Sequence, residues 1–212
     1  MQTLRFGRAA SDVRPKRAHR FDVFGPKVGR RLTIFGLKPF QLWLRLETNP
    51  GVSGYCERPL YIPDVRPPRL IDFWAKGTSG ELLYLVLRSG EEQELRGGVS
   101  LFPDLRAWCH ESAISLVLLL PSELVDSQVL CSNRLTLLRY SDVGGDTLRP
   151  ERDELLLASK SGTTLHDLEQ KFPRVDRTQL HAAAFKLVLS GQLRCPTLAK
   201  ELLGPNSWLF AT

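Results

Sequence analysis

Two short apolar runs, 70–75 and 82–87, flank a turn rich in Gly, Ser and Thr, and this pattern predicts a β-hairpin. Ahead of it, residues 37–47 place Phe40, Trp43, Leu44 and Glu47 at helical spacing, with Pro39 suited to a first turn. Asn49-Pro50-Gly51 ends that helix. Residues 52–62 read as a strand and 63–68 as a proline-rich connector. After the hairpin, 89–98 is polar and glycine-containing, a loop or the approach to a helix. Pro103 and Asp104 open a helix over 102–112, with Leu105 and Trp108 on one face. The continuous apolar run 114–120 predicts a strand buried on both faces. Ser122 or Asp126 then caps a helix running to about Arg139, with Leu124, Val125, Leu130, Leu135, Leu137 and Leu138 as its apolar residues. The order α-β-β-β-α-β-α predicts an α/β domain with a mixed sheet and helices on its faces.

The pattern changes at 142–150, where two glycines and a proline mark a linker. Residues 151–212 read as a small helical unit. A helix over 152–159 ends near Gly162. Thr163 or Thr164 caps a second over 165–172, and Pro173 breaks the chain. Asp176 caps a third over 177–190, with Leu180, Ala183, Ala184, Leu187 and Val188 in one stripe and Gly191 as its stop. Short strands at 193–198 and 207–210 surround a turn at Gly204-Pro205-Asn206. Three short helices followed by a two-stranded ribbon form a winged-helix pattern, which serves DNA reading or protein docking. The third helix offers Arg177, Gln179, His181 and Lys186 to a partner, and the last turn offers Lys200. Residues 1–32 show neither period and carry Gly7, Pro15, Gly25, Pro26 and Gly29, so they read as an arm that is irregular until a partner orders it. The division is therefore an arm at 1–32, an α/β domain at 33–141, a linker at 142–150 and a winged-helix-like domain at 151–212.

Charge sharpens the reading of the arm. The 212-residue chain has a net charge of +6. Residues 1–31 hold nine bases and two acids, a charge of +7, which leaves −1 for the other 181 residues. A basic arm on a neutral body points to nucleic acid. The expected DNA contacts are Arg14, Lys16, Arg17, Arg20, Lys27, Arg30 and Arg31 in the arm, with Arg177 and Lys186 in the C-terminal domain. Phe6, Phe21 and Phe24 interleave with the bases, placed to pack or stack. Cys56, Cys109, Cys131 and Cys195 lack metal-ligand spacing, Cys109-His110 has no second ligand pair, and His166 and His181 have no metal-spaced companion. Packed free thiols in a reducing compartment are expected. No apolar run reaches the roughly 20 residues of a membrane span, and the basic start has no apolar core behind it. A cytoplasmic protein with no membrane partner is expected.

The hairpin also carries candidate chemistry. Asp72 sits in its first strand and Arg88 closes its second. An acid on one strand with an acid-x-Lys on the next is how PD-(D/E)XK nucleases hold Mg²⁺ with hard oxygen ligands and activate water. Here the second half reads Val86-Leu87-Arg88, and an arginine cannot take a proton although it can hold a phosphate.

Three stretches in order resemble the TnsA-type endonuclease subunit of heteromeric transposases. LRLETNPGVSGYCERPLYI (44–62) resembles that family's helix end, turn and strand; RLIDFW (69–74) resembles its Pro-Asp-Phe strand; and FKLVLSGQLRCPTL with LGPNSWL (185–198 and 203–209) resembles the end of its winged helix. The resemblance implies a restriction-endonuclease-like mixed sheet, an α-β-β-β-α-β core, followed by a C-terminal winged helix. It implies DNA as ligand and an integrase-type transposase and an AAA+ ATPase as partners in a prokaryotic, nucleoid-associated setting. It places a metal ligand at Asp72, but its two helix glutamates fall on Phe35 and Pro39, and its acid-x-Lys on Val86 and Arg88. The chain therefore reads as a nuclease fold that has lost metal-dependent cleavage, needs no cofactor, and keeps Asp72 and Arg88 as vestiges, paired across the hairpin. The alternatives are an active endonuclease using Mg²⁺ on Asp72 with Glu57 and Glu81, and a winged-helix DNA-binding regulator.

Overall fold

The charges at the N-terminus conceal an alternation that folds. In the computed structural model, which describes residues 4–141 and 149–212, β1 (Arg20–Gly25) pairs antiparallel with β2 (Arg30–Phe35). Phe21 turns inward and stacks on Phe40 at 4.4 Å, and Leu32 and Ile34 are buried. Arg20, Asp22 and Phe24 are exposed, so the two-residue period is present although charged residues fill one face. This corrects the reading of 1–32 as an irregular arm, and the boundary at 32 falls inside β2. The residues before β1 are also tied down. Ala10 N donates to Arg58 O at 2.8 Å, and Phe6 meets Trp74 edge-on at 5.6 Å.

The chain divides into two compact units, Met1–Glu47 with Gly51–Val125, and Thr48–Pro50 with Asp126–Thr212. In the first, helix α1 (Leu37–Thr48) follows the hairpin. A four-stranded mixed sheet comes next, in the order β3 (Val52–Glu57), β4 (Phe73–Gly77), β5 (Gly80–Val86), β6 (Ser115–Leu119). The first three strands are antiparallel neighbours, and β6 lies parallel to β5. The expected hairpin is β4–β5, turning through Thr78 and Ser79. A crossover through α2 (Ser89–Arg96) and α3 (Pro103–Glu111) makes the parallel pairing possible. The 89–98 stretch is thus mainly helix, although it has no buried residue to give it an apolar stripe. The expectation that 114–120 is buried on both faces is corrected: β6 is the sheet's last strand, with Ser115 exposed and Leu116–Leu119 half-buried. Trp74, Ile71, Leu83, Leu85 and Leu105 form the core against the sheet.

A buried polar cluster fastens α1 to the N-terminal hairpin. Glu47, 2% exposed, accepts the Tyr55 hydroxyl, and Trp43 Nε1 donates to that hydroxyl at 2.8 Å. Lys27 N donates to Glu47 at 3.1 Å, and Lys27 Nζ donates to Leu46 O at 2.8 Å, at the helix end where a cation is favoured. A Cβ on Gly25 would stand 2.4 Å from the Tyr55 hydroxyl oxygen, so the turn passes too close for any side chain.

In the second unit the helices are α4 (Gln128–Ser141), α5 (Arg149–Ala158), α6 (Leu165–Lys171) and α7 (Arg177–Leu189). A three-stranded sheet in the order β7 (Thr163–Thr164), β9 (Trp208–Ala211), β8 (Leu193–Arg194) completes it. The caps are Thr164, which accepts from Asp167 N, and Asp176, which accepts from Gln179 N. Sequence placed α4 with the first domain. It belongs to the second because Leu137 joins the core of Leu155, Leu168 and Leu180. Its buried Asn133 also donates to the carbonyls of Leu198 and Glu201 at 2.7 and 2.6 Å and accepts from Leu203 N at 2.8 Å. Those bonds hold the 198–203 segment against α4, and the strand expected over 193–198 is shortened to Leu193–Arg194. Of the expected linker at 142–150, residues 142–148 lie outside the described residues, and Arg149 and Pro150 open α5.

Candidate functional site

One cleft of the first unit, about 640 Å³, gathers Phe35, Pro39, Asp72, Val86 and Arg88, the five positions that the resemblance assigned to catalysis. They come from β2, α1, the approach to β4, the end of β5 and the start of α2. Asp72 precedes β4 but stays on the ladder through its N–H, which donates to Tyr84 O at 3.1 Å. Asp72 is half-buried as a residue, and its carboxylate accepts the Val86 N–H at 2.7 Å. The expected Asp72–Arg88 pair is therefore not made: the neighbouring strand's backbone takes the acid. Burial pushes Asp72 up to about 6, against the pull of the Val86 N–H and of the Arg69, Arg88 and Arg58 charges.

The cations around it differ in their commitments. Arg58 donates to Ser11 O at 2.7 Å and Thr33 O at 2.6 Å, pairs with Asp12 at 2.8 Å, and lies 4.9 Å above the Phe35 ring. Arg69 pairs with Glu91 and donates to Val86 O at 2.6 Å. Burial, with the adjacent Arg88 charge, lowers it to about 10. Arg88 is exposed, and its guanidinium makes no hydrogen bond or ion pair among the described residues; its N–H donates to Glu91 at 2.7 Å and its carbonyl accepts from Glu92 N at 2.9 Å. Sequence reasoning missed Arg58 and Arg69. Each makes its contacts with residues distant in the chain, so local spacing carried no signal.

The donor set does not fit Mg²⁺. Phe35, Pro39 and Val86 present no oxygen side chain, and one Asp72 oxygen is on an amide. Glu57 lines the same cleft, but Arg30 takes both of its oxygens, at 2.8 and 2.6 Å. Glu81 does not line the cleft; it accepts from Trp74 Nε1 and pairs with Arg5, both at 2.9 Å. Among the described residues no three His, Cys, Asp or Glu side chains are placed to share a metal ion. The cysteines are free thiols, Cys56 and Cys109 buried and Cys131 and Cys195 half-buried.

The bases expected to meet DNA sort into two groups. Arg30 is spent on Glu57, Arg20 on Asp22 at 3.0 Å, and Arg177 on Glu169 at 2.8 Å. Lys27 is tucked under α1, and burial lowers it to about 8 although the nearby Glu47 opposes the shift. Lys186 is half-buried and engaged. Arg14 is exposed but donates to Ala18 O at 2.9 Å. Lys16, Arg17 and Arg31, with Arg8, are exposed and have no partner among the described residues. Proximity in sequence to other bases did not separate the two groups, because the neutralising acids Glu47 and Glu57 lie beyond the arm. His181 is held by Glu169 at 2.7 Å.

No protein-family model and no curated protein matches the chain. No described helix is long and apolar enough to cross a membrane.

Proposed function

We propose that the protein is a non-catalytic, DNA-binding subunit of the TnsA kind, which holds DNA at the emptied cleft of a nuclease-like domain and docks transposase and ATPase partners through a winged-helix-like domain. The observation that carries this reading is the convergence of Phe35, Pro39, Asp72, Val86 and Arg88 on one cleft. Positions far apart in the chain meet in one cleft, with apolar side chains at Phe35, Pro39 and Val86 where the resemblance has acids and Arg88 where it has a lysine. The sheet order β3-β4-β5-β6, with its parallel last pair, is consistent with the restriction-endonuclease-like core. The β7-β9-β8 sheet, with β7 between α5 and α6 and with β8 and β9 after α7, is consistent with the winged helix. Arg88, without a carboxylate partner, is suited to hold a phosphate.

The test is duplex binding and cleavage measured together on labelled DNA in Mg²⁺ and in Mn²⁺. Binding without cleavage is expected. Arg88→Glu should weaken binding by about fivefold or more. Lys16→Ala with Arg17→Ala should flatten the salt dependence by about 0.9 in slope for each phosphate the variant no longer neutralises. Deleting 1–31 is not the right variant, because it removes β1 and breaks into β2. Cleavage that disappears in Asp72→Ala would overturn the reading in favour of an active endonuclease.

A further inference from the structure

Of the three phenylalanines spaced among the N-terminal bases, two are consumed by packing, Phe6 on Trp74 and Phe21 on Phe40. Phe24 is not: it is 46% exposed on the outer face of β1. The register sets it directly opposite Arg31 of β2. Both residues line a second cleft of the first unit, about 690 Å³, together with Arg8, Asp22, Arg30 and Glu57. That volume is in the range of sites that take small molecules, on the order of 300–1,000 Å³.

The charges of this cleft do not cancel evenly. Asp22 is held by Arg20 at 3.0 Å and by the Thr33 hydroxyl, which donates to it at 2.8 Å. Glu57 is held by Arg30 at 2.6 Å, and Asp12, also at the cleft, by Arg58 at 2.8 Å. Each carboxylate is already neutralised by a named partner. Arg8 and Arg31 are exposed and lack one among the described residues. The surface therefore offers an aromatic ring flanked by surplus cations, and repulsion from its acids is largely offset.

We infer that the outer face of the β1–β2 hairpin binds single-stranded nucleic acid, with Phe24 stacking on a base and Arg31 and Arg8 holding the flanking phosphates. The inference rests on the nucleic-acid reading above and adds the form of the ligand and a second cleft, which adjoins the Asp72 cleft at Glu57. A single strand fits better than a duplex because a side-chain ring can use its π-face only on a base free of its own stack. Alternation along β1 keeps Phe24 on the solvent side, where truncating it leaves the inward Phe21 and Val23 in place.

The experiment measures fluorescence anisotropy of the full chain with labelled oligothymidylate and, separately, with labelled duplex, over a salt series. Phe24→Ala should weaken oligothymidylate binding about tenfold, and Phe24→Trp should retain it. Arg31→Ala should weaken it as well and lower its salt slope by about 0.7. Unchanged thermal unfolding of Phe24→Ala shows that the loss belongs to the surface. Equal oligothymidylate affinity in wild type and Phe24→Ala, or wild-type binding to duplex alone, overturns the inference and leaves the proposed function standing. Single-strand binding sensitive to Phe24, with duplex binding absent or indifferent to Arg88→Glu, upholds this face and removes the cleft from the proposed function.

Discussion

Replacing Asp72 by asparagine is expected to stabilise the protein at pH 8 by about 2 kcal/mol and to leave it nearly unchanged at pH 4. The sign follows from the acid's position. In the folded chain Asp72 titrates near 6, above its ordinary 3.8, because burial disfavours the carboxylate more than the Val86 N–H and the Arg69, Arg88 and Arg58 charges favour it. Between those two values the folded state binds more protons than the unfolded state. Stability therefore falls as pH rises through about 4 to 6 and stays at its lower level above. Asparagine cannot ionise, yet its side-chain oxygen can still accept from Val86 N, so the variant should lack this part of the pH dependence. Urea unfolding of both proteins at pH 4 and pH 8 reads the effect. A variant less stable than wild type at pH 8 would mean that Asp72 is satisfied as an anion by its arginines, and that the cleft is more polar than its lining implies.

Glu47→Ala should be the more damaging change, with a loss of about 3 kcal/mol. The carboxylate is buried, accepts the Tyr55 hydroxyl and the Lys27 N–H, and lies near the Lys27 ammonium. Truncation leaves the hydroxyl without its acceptor and the partly buried cation without its countercharge. Tyr55→Phe, which keeps the ring in the core and Glu47 beside Lys27, should cost less, about 1–2 kcal/mol. Both are read from urea midpoints at one pH. Equal losses would show that the hydroxyl, rather than the charge beside Lys27, supplies the cluster's stability. A Glu47→Ala loss under about 1 kcal/mol would show that water reaches the site and replaces the carboxylate.

What could be read in advance divides by the range of the interaction. The β4–β5 hairpin, α3, α6 and α7 follow from periods and caps that are local, and Thr164 and Asp176 sit at helix starts as their chemistry requires. Strands β1 and β2 were hidden because their inward residues alternate with charges dense enough to resemble a solvated tail. The α2 helix was hidden because it buries nothing and so lacks an apolar stripe. At the cleft, the hairpin motif pointed to Asp72 as a chemically notable acid, but not to the backbone amide that takes it. The fates of Lys27 and Arg30 were decided by Glu47 and Glu57, about 20 and 27 positions further along the chain. Composition counts such bases as free charge; folding converts them into internal pairs.

The ties of the N-terminal segment also set an order in time. Phe6 packs on Trp74, Arg5 reaches Glu81 and the Ser112 carbonyl, and Ser11 and Asp12 are held by Arg58. During synthesis these residues are made before their partners, which follow many codons later. At roughly 5–20 residues per second, the segment waits on the order of 5–20 s before Ser112 is made. A segment made before its partners is thus among the last to settle, and for that interval its arginines are open to any passing polyanion.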